Sequence, residues 1–297
     1  MNEKKNVGNI IKLNDNFCNL NQKSRNYIKD ILKIITRVIG FRYICSIIVF
    51  GSQIIGIEED SPVSDCDLLI IFYDNTPKKN LKILEKYLLS LEIKHEYQDS
   101  NLTFLKRILF SIQYSTGMFI SHFTTKKKYC EEAIFHKIFR VNKVFSSLFA
   151  PGRIILNSII SNHKELYGDS LHKIIKNNKA PNRYEILKNL AMTLIISIFS
   201  IAILPFKKLN TIKYQLEAVK WSLRASNYYI YRDSKPLSVI AKRFSKDKNL
   251  NRNKHLRNYF NDFLQLRNNP NNNILFMLKS PLKIISIHKK AFKNIKI

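Results

Sequence analysis

Two apolar runs and the residues between them constrain this chain most. Residues 43–50, YICSIIVF, are apolar and β-branched and read as a buried strand that runs directly into Gly51-Ser52. Residues 65–73, DCDLLIIFY, read as a second buried strand, and the acidic, turn-rich EEDSPVS at 58–64 is the loop before it. A strand that opens on two aspartates must compensate their charge, because taking an isolated carboxylate out of water is costly. Residues i and i+2 of a strand share a face, so Asp65 and Asp67 stand side by side, about 7 Å apart. Like charges at that spacing repel. A hard divalent cation removes the repulsion, and oxygen ligands suit Mg2+ or Mn2+. Such ions bridge substrate phosphates; of two, one activates the attacking oxygen and the other steadies the leaving group. At the end of the first strand, Gly51 lets backbone approach a phosphate closely, and the Ser52 hydroxyl can donate to it. Gly56 permits a further tight turn.

The remaining pattern extends the same reading. Apolar positions 28, 31, 32, 35, 38 and 39 have helical spacing over 24–39, with Gly40 as the stop. Pro77 opens a helix over 78–93, IKHEYQ at 93–98 reads as a short strand, and 101–115 reads as helical. GMFISHF at 117–123 reads as another strand, ending at the basic run TTKKK. From about 131 the chain reads as mostly helical. The expected organisation is an α/β part over 1–150 and a basic helical domain over 151–297.

The ordered pattern strand, GSxxxG, SDxDLLII resembles the signature of the DNA polymerase β-like nucleotidyltransferase superfamily, closely over 40–75 and loosely to about 125. That resemblance implies an α+β fold, a mixed sheet flanked by helices, followed by a mostly α-helical C-terminal domain. It implies that Gly51 and Ser52 hold a nucleoside triphosphate, with Ser64 among the nucleotide-binding residues, and that Asp65 and Asp67 bind the metals. The activity it implies is transfer of a nucleoside monophosphate from an NTP to an acceptor hydroxyl, with RNA, a protein side chain or a small molecule as acceptor. The superfamily places a third carboxylate on a neighbouring strand, as base or metal ligand. Glu96 is the candidate here, with Asp99 just beyond it; GMFISHF offers no acid, only Ser121 and His122, the latter a candidate base. The alternative is a catalytically incomplete nucleotide- or RNA-binding module of the same fold.

Charge and composition bear on partners. The 50 Lys+Arg against 22 Asp+Glu leave +28, and residues 205–297 hold 21 basic side chains against 4 acidic ones. That balance attracts phosphates, in nucleotides, nucleic acid or lipid headgroups. The four cysteines are scattered without a CxxC pair, which excludes a zinc knuckle or a dithiol redox site. With a polar N-terminus that lacks a signal-peptide apolar region, they predict a cytoplasmic setting. LAMTLIISIFSIAILPF at 190–206 falls just short of a typical span and reads as a buried bundle helix in preference to a membrane segment. The aromatic-rich helix at 214–231 reads as core packing, and no Arg-x4–6-His ribonuclease motif follows it.

Overall fold

The first helix forms where the apolar spacing places it. α1, Gln22–Val38, is capped by the Asn21 side chain, which accepts the Ser24 N–H at 2.8 Å, and buries Tyr27, Ile28, Ile31 and Ile35. It stops at Gly40, whose φ of +84° turns the chain away. In this computed structural model residues 20–55, 66–98, 103–206, 209–246 and 250–293 are described. Asp65, Ser64, Asp99, Gly56 and the 58–64 loop lie outside them.

β1, Ile44–Phe50, is buried along its whole length. The short helix α2, Ser52–Ile55, follows it, and β2, Asp67–Phe72, returns antiparallel. α3, Lys78–Lys94, buries Leu84, Leu88 and Leu91 against α1 and the sheet. α1 and α3 cover one face of the sheet, built from Ile47, Val49, Cys66, Leu68, Ile70 and Phe72. Ile48, Phe50, Asp67, Leu69 and Ile71 alternate with these and point to the other side.

Two expected strands differ. IKHEYQ is no strand: α3 continues to Lys94, and His95–Gln98 form a turn in which Tyr97 tucks against Tyr27, ring centroids 4.9 Å apart. The apolar spacing of Leu84, Leu88 and Leu91 carries the helix through, and Glu96 at φ +57° ends it. After α4, Phe104–Thr116, Gly117 at φ +75° begins a turn, so β3 starts later than expected, at His122–Lys126. β3 lies parallel to β2.

Four short helices follow: α5 (Lys127–Glu131), α6 (Phe135–Ile138), α7 (Lys143–Phe149) and α8 (Gly152–Ser161). The chain then makes an unexpected strand, β4, His163–Gly168, antiparallel to β1. The sheet order is β3-β2-β1-β4, a mixed four-stranded sheet flanked by helices. α9, Leu171–Ile174, follows β4.

The rest is helical: α10 (Arg183–Ala202), α11 (Thr211–Tyr231), α12 (Leu237–Ser245), α13 (Leu250–Asn268) and α14 (Ile274–Lys293). α10, α11 and α14 pack on one another, so the apolar 190–206 segment belongs, as far as Ala202, to a bundle helix. By length and composition α10 could cross a membrane, with 44% of its most apolar window buried. Tyr228 and Tyr229 are buried core residues of α11. Among the described residues one compact unit gathers those up to 55, from 66 to 143 and from 162 to 178; the other gathers 144 to 161 and those from 179 onward.

Candidate active site

Antiparallel pairing sets Phe50 opposite Asp67, which brings the Gly51-Ser52 turn to the mouth of β2. Gly51 has φ +80°, a conformation side chains rarely adopt. A Cβ built on it would lie 2.0 Å from Asp67 Oδ2 and 2.9 Å from Asp67 Cγ. Glycine lets the turn backbone sit against that carboxylate where it stands; a Cβ would push the Asp67 side chain aside. Ser52 is buried at the start of α2, and Asp67 is half-buried. The sequence-predicted pair of Gly51-Ser52 with Asp67 is thus brought together; Asp65 and Ser64 fall outside the described residues.

The neighbouring strand decides what else faces Asp67. Leu68 pairs with His122, and the Leu68 N–H donates to the Ser121 carbonyl at 3.0 Å. Ser121 is therefore the residue beside Asp67 on the same face. Its side chain is fully buried, and its hydroxyl has no hydrogen-bond partner among the described residues. His122 points to the opposite, helix-covered face. Its Nδ1 lies 2.9 Å from Glu92 Oε1 and 3.2 Å from the Tyr27 hydroxyl. Glu92 Oε1 also accepts the Ser121 N–H at 2.8 Å. His122 is thereby bound into the layer between sheet and helices, away from Asp67. Glu96 is exposed on the turn after α3, where its carbonyl accepts from Lys23 Nζ at 3.4 Å.

The same face carries one acid–base pair that the sequence reading missed. Phe50 pairs with His163, and Ile48 with Glu165, so both β4 side chains share the face of Phe50 and Asp67. One row across the sheet reads His163, Phe50, Asp67, Ser121. His163 Nε2 lies 3.3 Å from Glu165 Oε1, which also accepts the Leu171 N–H at 3.2 Å. Burial pulls the Glu165 carboxyl up, but hydrogen bonds from Ser170, His163 and the Leu171 N–H outweigh it and hold the carboxyl below its usual range. The signal was the short alternation in HKELYG, which a mostly helical reading of the region passed over.

The donors present suit a hard cation in kind. Asp67 supplies carboxylate oxygens, and Ser121 supplies a buried, unpartnered hydroxyl beside them. Among the described residues no three His, Cys, Asp or Glu side chains cluster as a metal site.

Comparison with known proteins bears on the fold. No protein-family model matches the chain, and no curated protein sequence does. Among solved structures, the spectinomycin adenyltransferase of Enterococcus faecialis, determined with ATP and spectinomycin, is similar at a TM-score of 0.52. The match covers 92% of this chain and 99% of that one, at 10% identity. The fold is nucleotidyltransferase-like. The sheet with its flanking helices and the helical C-terminal region are those the strand–GS–DxD pattern led one to expect.

Proposed function

We propose that the chain binds a nucleoside triphosphate with Mg2+ at the Gly51–Asp67 contact and transfers its nucleoside monophosphate to an acceptor hydroxyl. The observation that carries this reading is the approach of the Gly51 backbone to the Asp67 carboxylate, closer than a Cβ at that position would leave room for. In this reading Gly51 and Ser52 hold the triphosphate, and Asp65, Asp67 and the Ser121 hydroxyl hold the metal. Bound there, the ion would neutralise phosphate charge and polarise the α-phosphoryl group. The acceptor oxygen bonds to the α-phosphorus, the bond from that phosphorus to the β-bridging oxygen breaks, and pyrophosphate leaves. The acceptor proton goes to His163, which Glu165 orients; two strand spacings put His163 about 10 Å from Asp67 on the same face. The adenyltransferase neighbour supports a nucleotide substrate and a small-molecule acceptor as the first ones to assay.

A second reading has its own support. Ser121 stands where a third carboxylate would face Asp67, so the site can grip Mg2+–NTP without completing the transfer. Two measurements on the full chain separate these readings. Calorimetric titration with Mg2+–ATP reports binding, and transfer of label from α-labelled NTPs to aminoglycosides, RNA and protein reports chemistry. The first reading expects both signals and their loss in Asp65→Asn/Asp67→Asn. Binding without transfer to any acceptor selects the second, and no binding defeats both.

A further inference from the structure

The helical unit contains a helix whose polarity is inverted. A helix on a water-soluble bundle buries its apolar stripe and exposes its polar one. α10 departs from that. Beside Ile186, Met192 and Ile196 its buried positions are Glu185, Asn189, Thr193, Ser197 and Ser200, a polar stripe at helical spacing. The stripe is held inside the bundle by hydrogen bonds: Asn189 meets His288 Nε2 at 2.9 Å, Ser222 donates to Thr193 at 3.3 Å, and Gln215 donates to Ser197 at 2.7 Å. Beyond Arg183 at its start, the exposed positions of α10 are apolar: Tyr184, Leu187, Ile195 and Ile198 are 55, 51, 48 and 59% exposed.

α14 continues this surface. Leu275, Leu278 and Leu282 are 67, 53 and 70% exposed, on consecutive turns of one face. The two helices run antiparallel: Asn189 meets His288, whereas Asn272, just before α14, meets Thr211, beyond the end of α10, at 3.5 Å. The second half of α10 therefore flanks the first half of α14, which sets Ile195 and Ile198 level with Leu278 and Leu282, whereas Tyr184 and Leu187 lie level with Lys289 and Lys293. Exposed Lys279, Lys289 and Lys293 interleave and extend that face along α14. α14 contains no acidic residue, and the one acid of α10, Glu185, is buried.

We propose that the α10–α14 face docks on an anionic lipid surface. Apolar side chains ringed by cations fit the headgroup–acyl boundary, where leucines enter the acyl region and lysines meet phosphates. A second copy of the chain fits less well, because two such faces would bring like charge against like in a chain of +28. α10 lies on the lipid rather than through it, since its polar stripe is already held by α11 and α14.

Co-sedimentation of the full-length protein with vesicles of phosphatidylglycerol and phosphatidylcholine, against phosphatidylcholine alone, tests this. Binding is expected to the anionic vesicles, weakened by salt, and Leu278→Glu/Leu282→Glu is expected to lower partitioning at least about tenfold. Both leucines are exposed, so the variant folds, and it keeps wild-type Mg2+–ATP titration. Light scattering after gel filtration supplies the other arm. A dimer that the same variant dissolves assigns the face to a second copy and overturns the proposal. Wild-type protein that ignores anionic vesicles, or a variant that binds them equally, overturns it as well.

Discussion

Replacing Gly51 by alanine separates backbone strain from damage to the site, because the chain contains its own control. Gly40 and Gly51 both have positive φ, +84° and +80°, but a Cβ at Gly40 meets nothing within 4 Å, whereas one at Gly51 lies 2.0 Å from Asp67 Oδ2. A side chain at positive φ is strained by about 1–3 kcal/mol, so Gly40→Ala and Gly51→Ala should both lower the unfolding midpoint in urea. Only the second variant carries the collision. To restore ordinary contact the Asp67 carboxylate must move by about 1.5 Å, and even a displacement of roughly 1 Å costs on the order of 100-fold in a reaction that depends on placement. Gly51→Ala should therefore lose about 100-fold in transfer, with Mg2+–ATP binding weakened alongside, while Gly40→Ala keeps both. Calorimetry at neutral pH with folded protein reads the binding. A folded Gly51→Ala that binds Mg2+–ATP like wild type would refute the reasoning, as would Gly40→Ala losing binding to the same extent.

Three further outcomes follow from the structure. Ser121→Asp sets a second carboxylate beside Asp67, so in EDTA the unfolding midpoint should fall by an amount worth roughly 3 kcal/mol, and millimolar Mg2+ should restore it; a midpoint blind to Mg2+ would remove the metal from this face. Glu165→Gln takes away the anion that orients His163 and should slow transfer about 100-fold at unchanged Mg2+–ATP affinity; a matching loss of affinity would assign Glu165 to binding instead. The Asp30 carboxyl is held at about 2, below its ordinary 3.8, chiefly by the Lys94 hydrogen bond, against some burial and with help from His95 and Lys33. A depressed folded value means stability that is present above pH 3.8 and lost as pH falls towards 2. After solvent screening Asp30→Asn should cost about 1 kcal/mol at neutral pH, a difference that shrinks below pH 3.8 and fades as pH falls through 2 in acid unfolding curves.

Elements whose stability is local could be read from the sequence. α1 and α3 carry their own apolar periodicity, and β1 and β2 are continuous apolar runs, so each announces itself in one dimension. β4 does not. HKELYG is short and mostly polar, and becomes a strand because β1 offers it an edge more than a hundred residues earlier in sequence. The site divides in the same way. Gly51 with Asp67 was legible because one strand pairing joins two nearby segments. That Ser121 faces Asp67 while His122 turns to Glu92 depends on a register between β2 and β3, and a shift of one residue would exchange them. No single-residue pattern encodes that register.

The placement of β4 also governs how this protein can be made. A ribosome must release residue 168 before the sheet can be completed, and by then residues 144–161, which belong to the other unit, have already emerged. At the usual 5–20 residues per second, β1 therefore waits several seconds with one edge uncovered, a row of unpaired amides and carbonyls open to other chains. Slow synthesis or a nascent-chain chaperone becomes part of the yield. A fragment cut at 150 keeps that edge open permanently and should aggregate, whereas one carried through 178 brings its own closing strand.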